Sequence, residues 1–72
     1  MKTILSQFVK SVRKKYKFTQ VDLAERSGVG LRFLRELEQG KPTLRIDKVN
    51  QVLNMFGAEL GPVEMQRREI EP

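Results

Sequence analysis

The chain contains no cysteine and no histidine. Without cysteine there is no disulfide framework and no thiolate metal site, a composition that fits a reducing cytosol. Without histidine the commonest general base and the commonest metal ligand are both gone. Ser6, Ser11 and Ser27 have no plausible base to activate them, no acidic cluster has metal-ligand spacing, and no glycine-rich loop would cradle a phosphate. The expectation is a protein that is not an enzyme and takes no cofactor and no metal. Long apolar runs are missing too: none approaches the ~20 residues of a membrane span. The opening segment is interrupted by Ser6, Gln7 and Lys10, too soon for a signal peptide. A soluble, cytoplasmic protein is expected.

Acidic charge is missing from the first quarter. From Met1 to Phe18 every charged side chain is basic: Lys2, Lys10, Arg13, Lys14, Lys15 and Lys17. The whole chain has 72 residues and a formal net charge of +5, with a pI near 10.0. Such a balance suits a polyanion, either nucleic acid or an anionic membrane surface. The segment from Gly57 onward is mildly acidic, with Glu59, Glu64, Glu69 and Glu71 against Arg67 and Arg68. A chain this short is one domain and buries only ~60% of its unfolded surface, so dimerisation is the expected source of added stability.

What is present is helical periodicity with clear punctuation. Ile4, Leu5, Phe8, Val9 and Val12 recur at helical spacing and predict a first helix from about Thr3 to Lys15. Thr19 with Asp22 forms a capping-box pattern that opens a second helix from about Gln20 to Ser27, and Gly28 stops it. A third helix is predicted from about Leu31 to Gln39, ending at Gly40. After the loop Lys41-Pro42-Thr43, a fourth starts between Thr43 and Ile46, carries Ile46, Val49, Leu53 and Phe56 on one face, and closes at Gly57. Ala58 to Val63 alternates loosely and reads as a short strand, limited by Gly61 and Pro62. Residues 64–72 read as a mobile polar tail or a short helical turn.

The segment from Phe18 to Lys41, FTQVDLAERSGVGLRFLRELEQGK, carries the function. Two short helices joined by a glycine turn can cross at a steep angle and offer the second to a DNA major groove. Ala24 allows the close crossing. Leu23, Val29, Leu34 and Leu37 point inward, which leaves Arg32, Arg35 and Glu36 outside. Surface charge pairing is the alternative for these: Arg32 with Glu36, and Arg35 with Glu36 or Glu38.

Thr19 to Gly40 resembles the helix-turn-helix of the lambda-repressor and Cro superfamily, also called the XRE family, and the likeness extends over roughly Phe8 to Gly57. Within it, GLRFLRELEQGK followed by TLRIDKVNQVLNMFGAELG is most similar to HipB-type antitoxins. The resemblance implies an all-α, compact four-helix lambda-repressor-like domain over residues 1–63. Its helix-turn-helix would span 19–40, with the reading helix at about 31–39 and a short C-terminal strand that pairs across a dimer.

The resemblance also distributes roles. Leu31, Arg32, Arg35 and Glu36 occupy base-facing positions; Thr19, Gln20, Lys41, Thr43 and Arg45 lie where phosphates are touched. Arg13 and Glu38 match a buried structural salt bridge. Ala58, Glu59, Leu60, Gly61, Pro62 and Val63 match the dimer strand. Glu36 either accepts from a cytosine amino group or orients an arginine. The implied function is a sequence-specific repressor that binds a palindromic operator as a homodimer, the antitoxin of a HipBA-like operon with a HipA-type serine/threonine kinase toxin as partner. The alternatives are an interaction module whose main role is to neutralise that kinase, or a stand-alone, phage-type repressor. Three residues depart from the family pattern: Leu31 is apolar where polar residues are usual, Gly30 replaces a Ser or Thr cap, and Lys17 stands where glycine is common.

Overall fold

A computed structural model describes residues 3–63. Four α-helices follow one another: α1 (Ile4–Lys15), α2 (Gln20–Ser27), α3 (Leu31–Gln39) and α4 (Ile46–Leu53), the last tightening into a 3-10 turn over Asn54–Phe56. The chain is all-α. No helix among the described residues is long and apolar enough to cross a membrane. The tail expected over 64–72 lies outside the described residues.

Local chemistry explains the helix ends. Thr3 caps α1 reciprocally with Ser6: the Ser6 N–H donates to Thr3 Oγ1 (3.0 Å) and the Thr3 N–H to Ser6 Oγ (2.8 Å). Thr19 and Asp22 repeat that box at the start of α2. At the end of α1 the Lys17 N–H donates to Lys14 O (2.9 Å) and the Phe18 N–H to Arg13 O (3.0 Å). This paired closure needs a left-handed residue. Lys17 supplies it at φ 61°, the one non-glycine residue with positive φ among those described. Gly40 makes the same closure on α3 without a Cβ to strain.

The core is formed by Val9, Leu23, Ala24, Val29, Leu34, Leu37, Val49, Val52 and Leu53. α3 lies at its centre, packed on α1 and on α2, while α4 closes the side of α2. Tyr16, Phe18 and Phe56 cluster at the end of α1, with ring centroids 5.2 Å apart for Tyr16 and Phe56. Arg26 stacks over Phe18 at 4.7 Å, a favourable placement of cation over ring.

Three apolar residues assigned to helix faces by their spacing stay outside the core. Ile4 is 88% exposed, Phe8 42% and Ile46 65%. Ile4 and Ile46 are the first residues of α1 and α4, and Phe8 faces the groove beside Ala58 and Leu60.

The short strand expected over Ala58–Val63 does not form within the chain. A strand exists only when another pairs with it, and no other extended segment is available among the described residues. The segment is instead tied down locally: the Ala58 N–H donates to Leu53 O (3.1 Å) and the Leu60 N–H to Asn50 Oδ1 (2.7 Å).

Candidate nucleic-acid interface

The outer face of α3 is held from several directions. Glu38, on its inner side, is buried and accepts from Arg13 Nε (2.7 Å to Oε2) and Arg13 Nη2 (3.0 Å to Oε1). Arg13 also donates from Nη1 to Phe18 O (2.9 Å), and Gln20 Nε2 donates to Glu38 Oε1 (3.1 Å). One carboxylate therefore joins α1, the start of α2 and the end of α3. A buried ion pair of this kind adds uncertain net stability, but it fixes a geometry. Among the described residues no buried side-chain N or O lacks a partner.

The turn between α2 and α3 is held from α4. Gln51 Nε2 donates to Ser27 O at 2.7 Å, covering the end of α2. Gly28 is at φ 85°, and a Cβ there would lie 2.9 Å from Gln51 Nε2. The backbone angle favours glycine, and a side chain there would also displace the Gln51 amide from its bond to Ser27. Gln51 and Asn50 carry no motif in the sequence. Their partners lie 24 and 10 residues away, so only the folded chain reveals the contacts.

Arg32 is 92% exposed at its side chain, and Arg35 one turn along is also exposed. Glu36 lies between cations, 3.5 Å from Arg32 Nε and 3.4 Å from Lys41 Nζ. Arg35 makes no ion pair among the described residues; the Glu38 alternative is closed because Glu38 belongs to Arg13. Leu31 is only half exposed and packs against the core, as does Phe33. The outward face of α3 thus carries Arg32, Arg35 and Gln39 exposed and Glu36 half-exposed, with Leu31 at its edge.

The residues assigned to phosphate differ in how free they are. The Thr19 hydroxyl accepts the Asp22 N–H (3.0 Å) and keeps its own proton to donate. Gln20 keeps one amide N–H beyond the bond to Glu38. Thr43 is exposed. Lys41 is paired with Glu36, and Arg45 forms a two-bond pair with Asp47 (3.2 and 2.7 Å) in the open. Two carboxyls are shifted. The Thr19 N–H, then its hydroxyl, hold the Asp22 carboxyl below its ordinary pKa. The Arg45 guanidinium does the same for Asp47.

Comparison with known proteins places this arrangement. A family model described as a helix-turn-helix domain matches residues 6–61. The chain belongs to the helix-turn-helix domain family. It is similar to the uncharacterized HTH-type transcriptional regulator y4mF of Sinorhizobium fredii, with 46% identity over 56 residues, 78% of this chain and 74% of that protein. In a DNA-binding helix-turn-helix the second helix enters the major groove. Here that helix is α3, so family membership and geometry agree on a DNA-binding regulator of transcription.

Proposed function

We propose that the chain is a dimeric, sequence-specific repressor without catalytic activity, which inserts α3 of each subunit into one half-site of a palindromic operator. The observation that carries this reading is the exposed Arg32 and Arg35 on a helix whose inner side is locked by Glu38, Arg13 and Gln20. Arginine bonding two ways to guanine is the commonest specific contact, worth ~1–3 kcal/mol of discrimination. Thr19, Gln20, Lys41, Thr43 and Arg45 would set the register on the phosphates. A symmetric dimer places its two reading helices about one turn, ~34 Å, apart.

Two observations support the dimer. In the segment 58–63, Ala58 and Leu60 direct their N–H groups into the chain, while Glu59, Gly61 and Val63 have no N–H partner among the described residues. Pro62, which has no N–H, falls in the inward register and leaves that second edge uninterrupted. An open edge of this kind invites pairing with a second copy. Beside it lies an apolar groove between α1 and the segment, lined by Ile4, Leu5, Phe8, Leu53, Ala58, Leu60 and Val63. Ile4 and Val63 project at 88% and 85% exposure, so one patch carries both knobs and hollow, as a two-fold interface requires.

The antitoxin role, with a HipA-type kinase as partner and a self-regulated operon, rests on the resemblance of the α3–α4 region to HipB-type proteins. A neighbouring gene for a kinase-like protein is the observation that tests it, and the lack of one favours a stand-alone repressor.

The DNA reading is tested by binding to the chain's own upstream DNA. Arg32→Ala and Arg35→Ala are each expected to lose about 1–3 kcal/mol on the operator and little on unrelated duplex. Lys41→Ala is expected to weaken all sequences alike and reduce the salt slope by about one. Wild-type affinity in both arginine variants would reject this reading face.

A further inference from the structure

Glu36 stands between the two cations assigned to base and phosphate. Its Oε2 faces Arg32 Nε one turn back on α3, at 3.5 Å, and its Oε1 faces Lys41 Nζ, at 3.4 Å. Each carboxylate oxygen thus has its own cation. The position of Lys41 follows from the backbone: α3 reverses at Gly40, and the Lys41 N–H donates to Glu36 O at 3.1 Å. That closure brings the lysine back beside the last turn of the helix.

Exposed ion pairs contribute little to stability, so folding alone gives no reason for this arrangement. It has a direct consequence for DNA. A phosphate approaching Lys41 and a base edge approaching Arg32 must both compete with the same carboxylate. Once its cations turn to the duplex, that carboxylate has no proton to donate and faces a polyanion. Among base edges in the major groove, the cytosine amino group is the donor that suits an acidic side chain. Only a site that presents such a donor compensates Glu36 for the cations it gives up.

We propose that Glu36 is a specificity-determining brake: it restrains Arg32 and Lys41 in the free protein and penalises DNA that offers no amino group in its place. The inference rests on the DNA-binding reading above. It adds that affinity for unrelated DNA is held down by a built-in competitor.

The test uses the full chain and Glu36→Gln on two duplexes of equal length. One is selected from a random pool by the wild-type protein; the other is a scrambled version of it. The glutamine variant is nearly isosteric and the site is partly exposed, so the fold should be retained, with unchanged far-ultraviolet dichroism as the control. Expected is a gain of about tenfold on the scrambled duplex, as Arg32 and Lys41 no longer divide their attraction between Glu36 and the DNA. The preference for the selected duplex should narrow in proportion. Unchanged affinity of Glu36→Gln for the scrambled duplex, with wild type still selecting its site, overturns the brake and leaves the DNA reading standing. A wild-type chain that selects no duplex overturns both.

Discussion

Lys17 shows most directly how a single residue can be suboptimal for the fold. It holds φ 61° at the closure of α1, where its own N–H and that of Phe18 donate back into the helix through a left-handed turn. A side chain in that region costs roughly 1–2 kcal/mol, part of which glycine would return through its freer unfolded chain. Lys17→Gly is therefore expected to gain about 0.5–1 kcal/mol and melt a few degrees higher. Lys17→Ala, which keeps the Cβ, should show no gain. Equal melting of all three proteins would mean that the strain is no larger than the entropic cost of glycine. Gly30 is the opposite case: it starts α3 without a side-chain cap, at φ −72°, with open space around a would-be Cβ. Serine there is expected to add a few tenths of a kcal/mol by capping, read as a small rise in melting temperature.

At the scale of elements, the sequence shows where helices begin and end because those signals are local. Thr19 and Asp22 are three residues apart, Gly28 and Gly40 end their helices within one turn, and apolar spacing marks α1 through α4. What holds the elements together is less visible. Gln51 over the end of α2 and Asn50 under Leu60 are polar residues on a helix surface, and nothing in their neighbours announces a distant backbone partner. The apolar pattern also overstates the core, since Ile4, Phe8 and Ile46 have the right spacing but remain exposed. The alternation over Ala58–Val63 misled in the same way: it suggested a strand, but the segment has no strand to pair with among the described residues and forms none.

The capping box of α2 gives a pH prediction. The Asp22 pKa is depressed in the folded chain, so its contribution is present above the unfolded value of about 3.9 and fades as pH falls through the folded one. Asp22→Asn should flatten the acid limb of a melting-temperature profile below about pH 4. An unchanged acid limb would remove Asp22 from the acid response.

For the whole molecule, the proposed dimer would be held by the exposed groove of Ile4, Phe8 and Val63 beside the open edge of 58–63. Sedimentation at micromolar concentration is expected to give a dimer for the wild type. Phe8→Glu, which places charge in the groove while touching a side chain already 42% exposed, should give a folded monomer. Its DNA affinity should drop far more than that of a single base-contact variant, because both half-sites can no longer be engaged together. A monomeric wild type would count strongly against the groove as an interface.

The central claim is that two copies of α3 read two major-groove sites through Arg32 and Arg35. Dimethyl sulfate protection of guanine N7 on a selected duplex reports that contact directly, since arginine engages O6 and N7 together. The expected pattern is two protected clusters about ten base pairs apart, with matching guanines losing protection in Arg32→Ala or Arg35→Ala. Protection that is uniform along the duplex, or that survives both substitutions, would contradict it.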